Sequence, residues 1–116
     1  MLEKPVFIQG LFAGKGHGLA SPAGFDPPVT YNVPVDKRAQ TIYFRAGNSG
    51  PEMIYLVLTN GGRPMRYFAV GAKGAIHVPL AVVEDISPGS KVEILLAAPE
   101  GLEFEVLLDV GFLEID

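Results

Sequence analysis

Residues 102–110 read LEFEVLLDV. Leu102, Phe104, Val106, Leu108 and Val110 fall on one side of an extended chain, and Glu103, Glu105 and Asp109 fall on the other. Side chains alternate between faces along a strand, so this spacing predicts a strand with one buried and one wet face.

The same period recurs upstream. In 91–96, Val92, Ile94 and Leu96 oppose Lys91, Glu93 and Leu95. In 76–82, Ile76, Val78, Leu80 and Val82 share a face with His77 opposite. In 29–36, Val29, Tyr31, Val33 and Val35 oppose Thr30, Asn32, Pro34 and Asp36. No segment carries sustained helical periodicity. Strands are predicted at 5–13, 29–36, 40–47, 53–60, 64–71, 74–84, 91–98 and 102–115, separated by Gly, Pro and Asn.

Asn60-Gly61-Gly62 between two apolar runs predicts a tight hairpin, because these residues accept positive φ. Asn48-Ser49-Gly50-Pro51, Ser87-Pro88-Gly89-Ser90 and Pro99-Glu100-Gly101 read as further turns. Gly111 interrupts the alternation of the last strand and predicts a bulge or bend. About eight short strands in one domain, residues 1–116, predict an all-β antiparallel sandwich of jelly-roll-like type. A closed β-barrel is the second architecture compatible with this pattern.

Composition narrows the function classes. The 116 residues are 48% apolar, enough for one core and not for two. A mean hydropathy of +0.29 is high for so small a soluble domain, and points to an oligomer or partner interface. Without cysteine there are no disulfides, thiolate metal sites or cysteine nucleophiles. MLEKPVFIQG lacks a signal-peptide core, which favours the cytoplasm. Runs such as MIYLVLT and VEILLAA are too short for a membrane helix. Residues 1–75 hold eight Lys/Arg and four Asp/Glu, whereas 76–116 hold one Lys and nine Asp/Glu. Either this segregation gives the molecule a basic and an acidic side, or it is scattered over a solvated surface. Net acidity and the lack of a basic stretch argue against nucleic acid.

Residues 10–25, GLFAGKGHGLASPAGF, contain five glycines, Lys15 and His17. The stretch approaches a phosphate-binding loop but has the wrong spacing, no Ser/Thr after the lysine and no following helix. It reads as a long connection over 14–28 in which Lys15, His17 and Asp26 are candidate ligand-binding residues, or in which glycines serve only as turns. Phe25 is expected to pin it to the core. No metal or cofactor is expected: the two histidines have no ligand spacing, and no EF-hand-type pattern occurs. The serines lie at turns, outside any nucleophile motif, so no catalytic residue is assigned.

The four tyrosines, at 31, 43, 55 and 67, are evenly spaced. In an antiparallel meander turning at Asp36-Lys37-Arg38, Asn48-Ser49-Gly50 and Asn60-Gly61-Gly62, they would form a ladder across four strands. Strands 53–60 and 64–71 are apolar on both faces, and Tyr43, Arg45, Tyr55, Met65 and Tyr67 suit an interface. Three functional readings follow. The first is a non-catalytic module that self-associates, most simply as a dimer, through the tyrosine face. The second is a small-ligand module binding a carbohydrate or an anion. The third is a small enzyme using the glycine-rich segment.

Overall fold

The computed structural model describes residues 3–80 and 84–116. Among the described residues nine strands follow in order: β1 Glu3–Lys15, β2 Ala23–Asn32, β3 Arg38–Asn48, β4 Ile54–Asn60, β5 Arg63–Val70, β6 Ala75–Pro79, β7 Asp85–Ile86, β8 Lys91–Ala97 and β9 Glu103–Ile115. They form two open antiparallel sheets and no closed barrel. The first runs β1-β9-β3-β6, with β7 also paired to β3, and the second runs β2-β8-β4-β5. This is the predicted sandwich. Residues 81–83, at the end of the predicted 74–84 strand and including Val82, lie outside the described residues. Among the described residues no helix is long and apolar enough to cross a membrane.

The alternation sets the core. Val106, Leu108 and Val110 of β9 point inward and are fully buried, as are Val92 and Ile94 of β8 and Ile54 and Leu56 of β4. Phe44 of β3 stacks on Phe68 of β5 at 3.9 Å between ring centroids, joining the two sheets across the core. Burial of each such side chain contributes about 1.5–3 kcal/mol. The Asn60-Gly61-Gly62 hairpin forms as predicted, with φ of 59° at Gly61 and 83° at Gly62. The irregularity expected at Gly111 falls across from it: the β3–β9 register shifts between Thr41 and Tyr43, leaving Ile42 as the extra residue.

Two expectations are corrected. The long connection over 14–28 is shorter, because Gly14 and Lys15 belong to β1 and residues 23–28 to β2, leaving only 16–22 as a link. Backbone hydrogen bonds tie that link down, from Gly16 to Leu102 and from Gly18 to Ala98 (2.8 Å each), and from Gly101 to Gly16 (2.9 Å). A Cβ on Gly16 would lie 1.9 Å from the Pro99 carbonyl oxygen, so the glycine permits this close approach.

The tyrosine ladder is also corrected. Among the described strands only β4 and β5, and β6 and β7, are consecutive members of one sheet, and every other consecutive pair changes sheet. The turns after β2 and β3 are therefore crossovers, and the evenly spaced tyrosines do not form a ladder in one sheet. The crossing topology also mixes the charges. Basic residues of the first part meet acids of the second in the pairs Lys37–Asp116, Arg38–Asp85 (2.9 Å) and Arg45–Asp109 (3.3 Å).

Candidate functional site

The C-terminal end of β1, the 16–22 link, the start of β2 and the start of β9 meet at one end of the sandwich. They enclose a cavity of about 370 Å³ lined by Lys15, His17, Asp26, Glu103 and the rings of Phe25 and Phe104. The three predicted ligand-binding residues, Lys15, His17 and Asp26, thus border a single space.

Each is placed by a local feature of the fold. Lys15 ends β1 directly opposite Glu103, because β1 and β9 pair over the full length of both strands. His17 follows Gly16, whose hydrogen bonds fix the link against the β8–β9 turn. Asp26 stands where the β2–β8 ladder is interrupted between Gly24 and Val29. The neighbouring Phe25 turns inward, is buried, and packs on Phe12 with ring centroids 5.9 Å apart. It pins this segment to the core, as expected from the sequence.

Lys15, His17, Asp26 and Glu103 are all exposed. Among the described residues none of the four forms a side-chain hydrogen bond or ion pair. The cavity therefore offers donors and acceptors that no internal partner occupies. One ammonium and two carboxylates face it, so its formal charge does not favour an anion. Among the described residues no three His, Asp or Glu side chains converge as a metal cage. Glu103 was legible in the sequence only as the wet side of a strand. Its place beside Lys15 depends on the β1–β9 register, which no local pattern reveals.

The five proposed interface residues do not share a face. Tyr43 and Arg45 stand on the outer face of the first sheet, where Asp109 is a hub. It accepts hydrogen bonds from the Tyr43 hydroxyl (2.7 Å), Gln9 Nε2 (3.2 Å) and Arg45 (3.3 Å). The hydrogen bond from Tyr43 is the main reason Asp109 titrates below the usual carboxylate range. Burial, then the bond to Asp109, raises Tyr43. Phe7 and His77 flank the Tyr43 ring at centroid distances of 6.5 and 6.0 Å.

Tyr55 and Tyr67 instead lie on the outer face of the second sheet. With Val57, Leu19 and Pro22 they line a shallow apolar groove of about 400 Å³. Val57 is buried on this outer face, which explains why β4 reads as apolar on both sides. Met65 sits at a register shift in the β4–β5 pair and packs against the core. A single tyrosine interface is thus not what the fold presents.

No family model matches the chain. No curated protein matches it in sequence. Its fold is similar to that of the CBM36-1 domain of a multidomain xylanase from the hindgut metagenome of Trinervitermes trinervoides. That likeness has a TM-score of 0.59 at 13% identity and covers 95% of this chain and 96% of that one. It is similar also to a carbohydrate-binding module CBM36 solved in complex with calcium and xylotriose, with a TM-score of 0.59 at 17% identity, covering 93% and 97%. A chain of the infectious bursal disease virus Gt strain matches with a TM-score of 0.52 at 14% identity, over 97% of this chain and 32% of that one. These likenesses establish the jelly-roll-like sandwich.

Proposed function

We propose that the protein is a carbohydrate-binding module that holds a neutral oligosaccharide at the Lys15–His17–Asp26–Glu103 cavity. The observation that carries this reading is the convergence of four hydrogen-bonding side chains without internal partners around one end cavity. A sugar presents hydroxyls that both donate and accept. Lys15 donates to such hydroxyls, Asp26 and Glu103 accept, and His17 does either. Phe104, half-buried at the cavity wall, supplies an apolar surface for a ring face. The two carboxylates weigh against an anionic ligand.

Calcium accompanies the sugar in one structural neighbour. Here the acidic residues do not assemble as a cage among the described residues, so the reading uses no metal.

Isothermal titration with a panel of neutral oligosaccharides, xylotriose included, and with inorganic phosphate tests the proposal. At least one oligosaccharide binds and phosphate does not. Lys15→Ala and Asp26→Ala each weaken that binding about tenfold, the equivalent of one charge-assisted hydrogen bond. Binding of phosphate alone overturns the carbohydrate reading. Sugar binding that survives both substitutions and falls with Tyr67→Ala moves the site to the groove on the second sheet.

A further inference from the structure

β1 is an edge strand of 13 residues, paired to β9 on one side and to no strand on the other among the described residues. Its middle, Val6–Phe12, reads VFIQGLF and carries no charge. Phe7 is 49% exposed and Leu11 60%. Leu107, the β9 residue directly opposite Leu11, is 49% exposed. An uncharged, apolar strand with a free ladder of backbone N–H and C=O groups is a template for another strand.

The sequence of β1 is complementary to itself when reversed about Gln9. In that register Glu3 meets Lys15, Val6 meets Phe12, Phe7 meets Leu11, and Gln9 meets its own copy. We infer that two copies of this chain pair antiparallel through their β1 edges about a two-fold axis at Gln9, forming one continuous eight-stranded sheet from the two four-strand paths. The pairing also engages Lys15, which borders the end cavity, but the test below reads chain mass and needs no ligand.

Three features fix the arrangement. The axis repeats every pairing, so two Glu3–Lys15 ion pairs flank an apolar centre. Sliding the strands by two residues in either direction breaks both ion pairs and separates Phe7 from Leu11. Odd-numbered residues of β1 lie on the outer face, so each Phe7 also continues the row formed by Leu11 and Leu107 of the second copy. On the inner face, Val6 and Phe12 are only partly covered at the open edge of the sandwich, and the second copy completes their cover.

Sedimentation equilibrium of the full chain tests the inference. Wild type sediments at twice the 12.4 kDa chain mass in the micromolar range. The double variant Phe7→Lys with Leu11→Lys sets like charges opposite each other twice and sediments as a monomer. Phe7→Lys with Leu11→Glu sets opposite charges in the same two positions and restores the dimer. Both pairs of side chains point outward, and circular dichroism checks that each variant keeps its strands. A monomeric wild type overturns the inference. So does a dimer indifferent to the lysine pair, or a lysine–glutamate variant that stays monomeric.

Discussion

The Tyr31 hydroxyl, on β2 of the second sheet, donates a 2.6 Å hydrogen bond to Glu114 on β9 of the first. Both residues are buried, and the Tyr31 ring packs on Phe112 with centroids 4.6 Å apart. The bond joins the two layers through a polar contact within an apolar interior. Tyr31→Phe removes the donor and leaves the Glu114 oxygen unsatisfied. It is expected to lower unfolding free energy by about 1–3 kcal/mol, measured by urea denaturation at neutral pH.

The same tyrosine predicts a loss of stability in alkali. Burial first, and then Glu114, raise the pKa of Tyr31 above its ordinary value of 10.0. The unfolded chain then loses a proton that the folded chain keeps. Stability from this group is complete below about pH 10 and falls as pH rises toward the folded value. Tyr43 is shifted in the same direction and adds to the slope. Thermal midpoints should fall above pH 10 in the wild type and fall less steeply in Tyr31→Phe. Equal slopes would remove the assignment.

On the outer face of the first sheet the sign reverses. Asp109 is lowered chiefly by Tyr43, and Asp85 chiefly by Gln40. Their contribution is present above the ordinary carboxylate range near pH 4 and is lost as pH falls through the lower folded values. Asp109→Asn should therefore flatten the acid limb of a pH–stability profile. The Tyr43 ring lies over Gly111, where an added Cβ would come within 2.2 Å of it. Gly111→Ala displaces the ring and weakens the same hub, at about 1–3 kcal/mol. The two substitutions should combine to less than the sum of their separate effects, which a double-mutant cycle measures.

Gly16→Ala places a methyl group against the Pro99 carbonyl, where only backbone movement relieves the clash. A loss of about 1–3 kcal/mol is expected by thermal denaturation. Gly71→Ala has open space around its Cβ and serves as the control, with little change.

The strands were legible wherever apolar and polar residues alternate, as in 102–110 and 91–96. The first half of β2 was not, because Gly24, Pro27 and Pro28 are weak strand formers and the ladder there is interrupted. Sheet membership was hidden for a different reason. A turn such as Asn48-Ser49-Gly50 has the same composition whether it closes a hairpin or crosses between layers. Here Asn48 is buried and braces a crossover, donating to the carbonyls of Glu52 (2.8 Å) and Gly71 (3.1 Å). Lys15, His17 and Asp26 could be named because polar side chains on a glycine- and proline-rich segment stand out. Glu103, Phe104 and the Asp109 hub could not, since pairing across the whole chain brings them to their partners.

That pairing has a consequence in time. β9, which follows all the other described strands, lies inside the first sheet between β1 and β3, while every described strand of the second sheet ends by Ala97. During synthesis β2, β8, β4 and β5 can assemble once Ala97 has emerged from the ribosome. β3 can pair with β6 and β7 by then, but β1 must wait for β9, and their pairing closes the longest loop among the described pairs. Until then the first sheet lacks its central strand, and the apolar β1 has no strand neighbour among the described pairs. This part of the chain is therefore open to misassembly in the interval before the thirteen residues of β9 emerge.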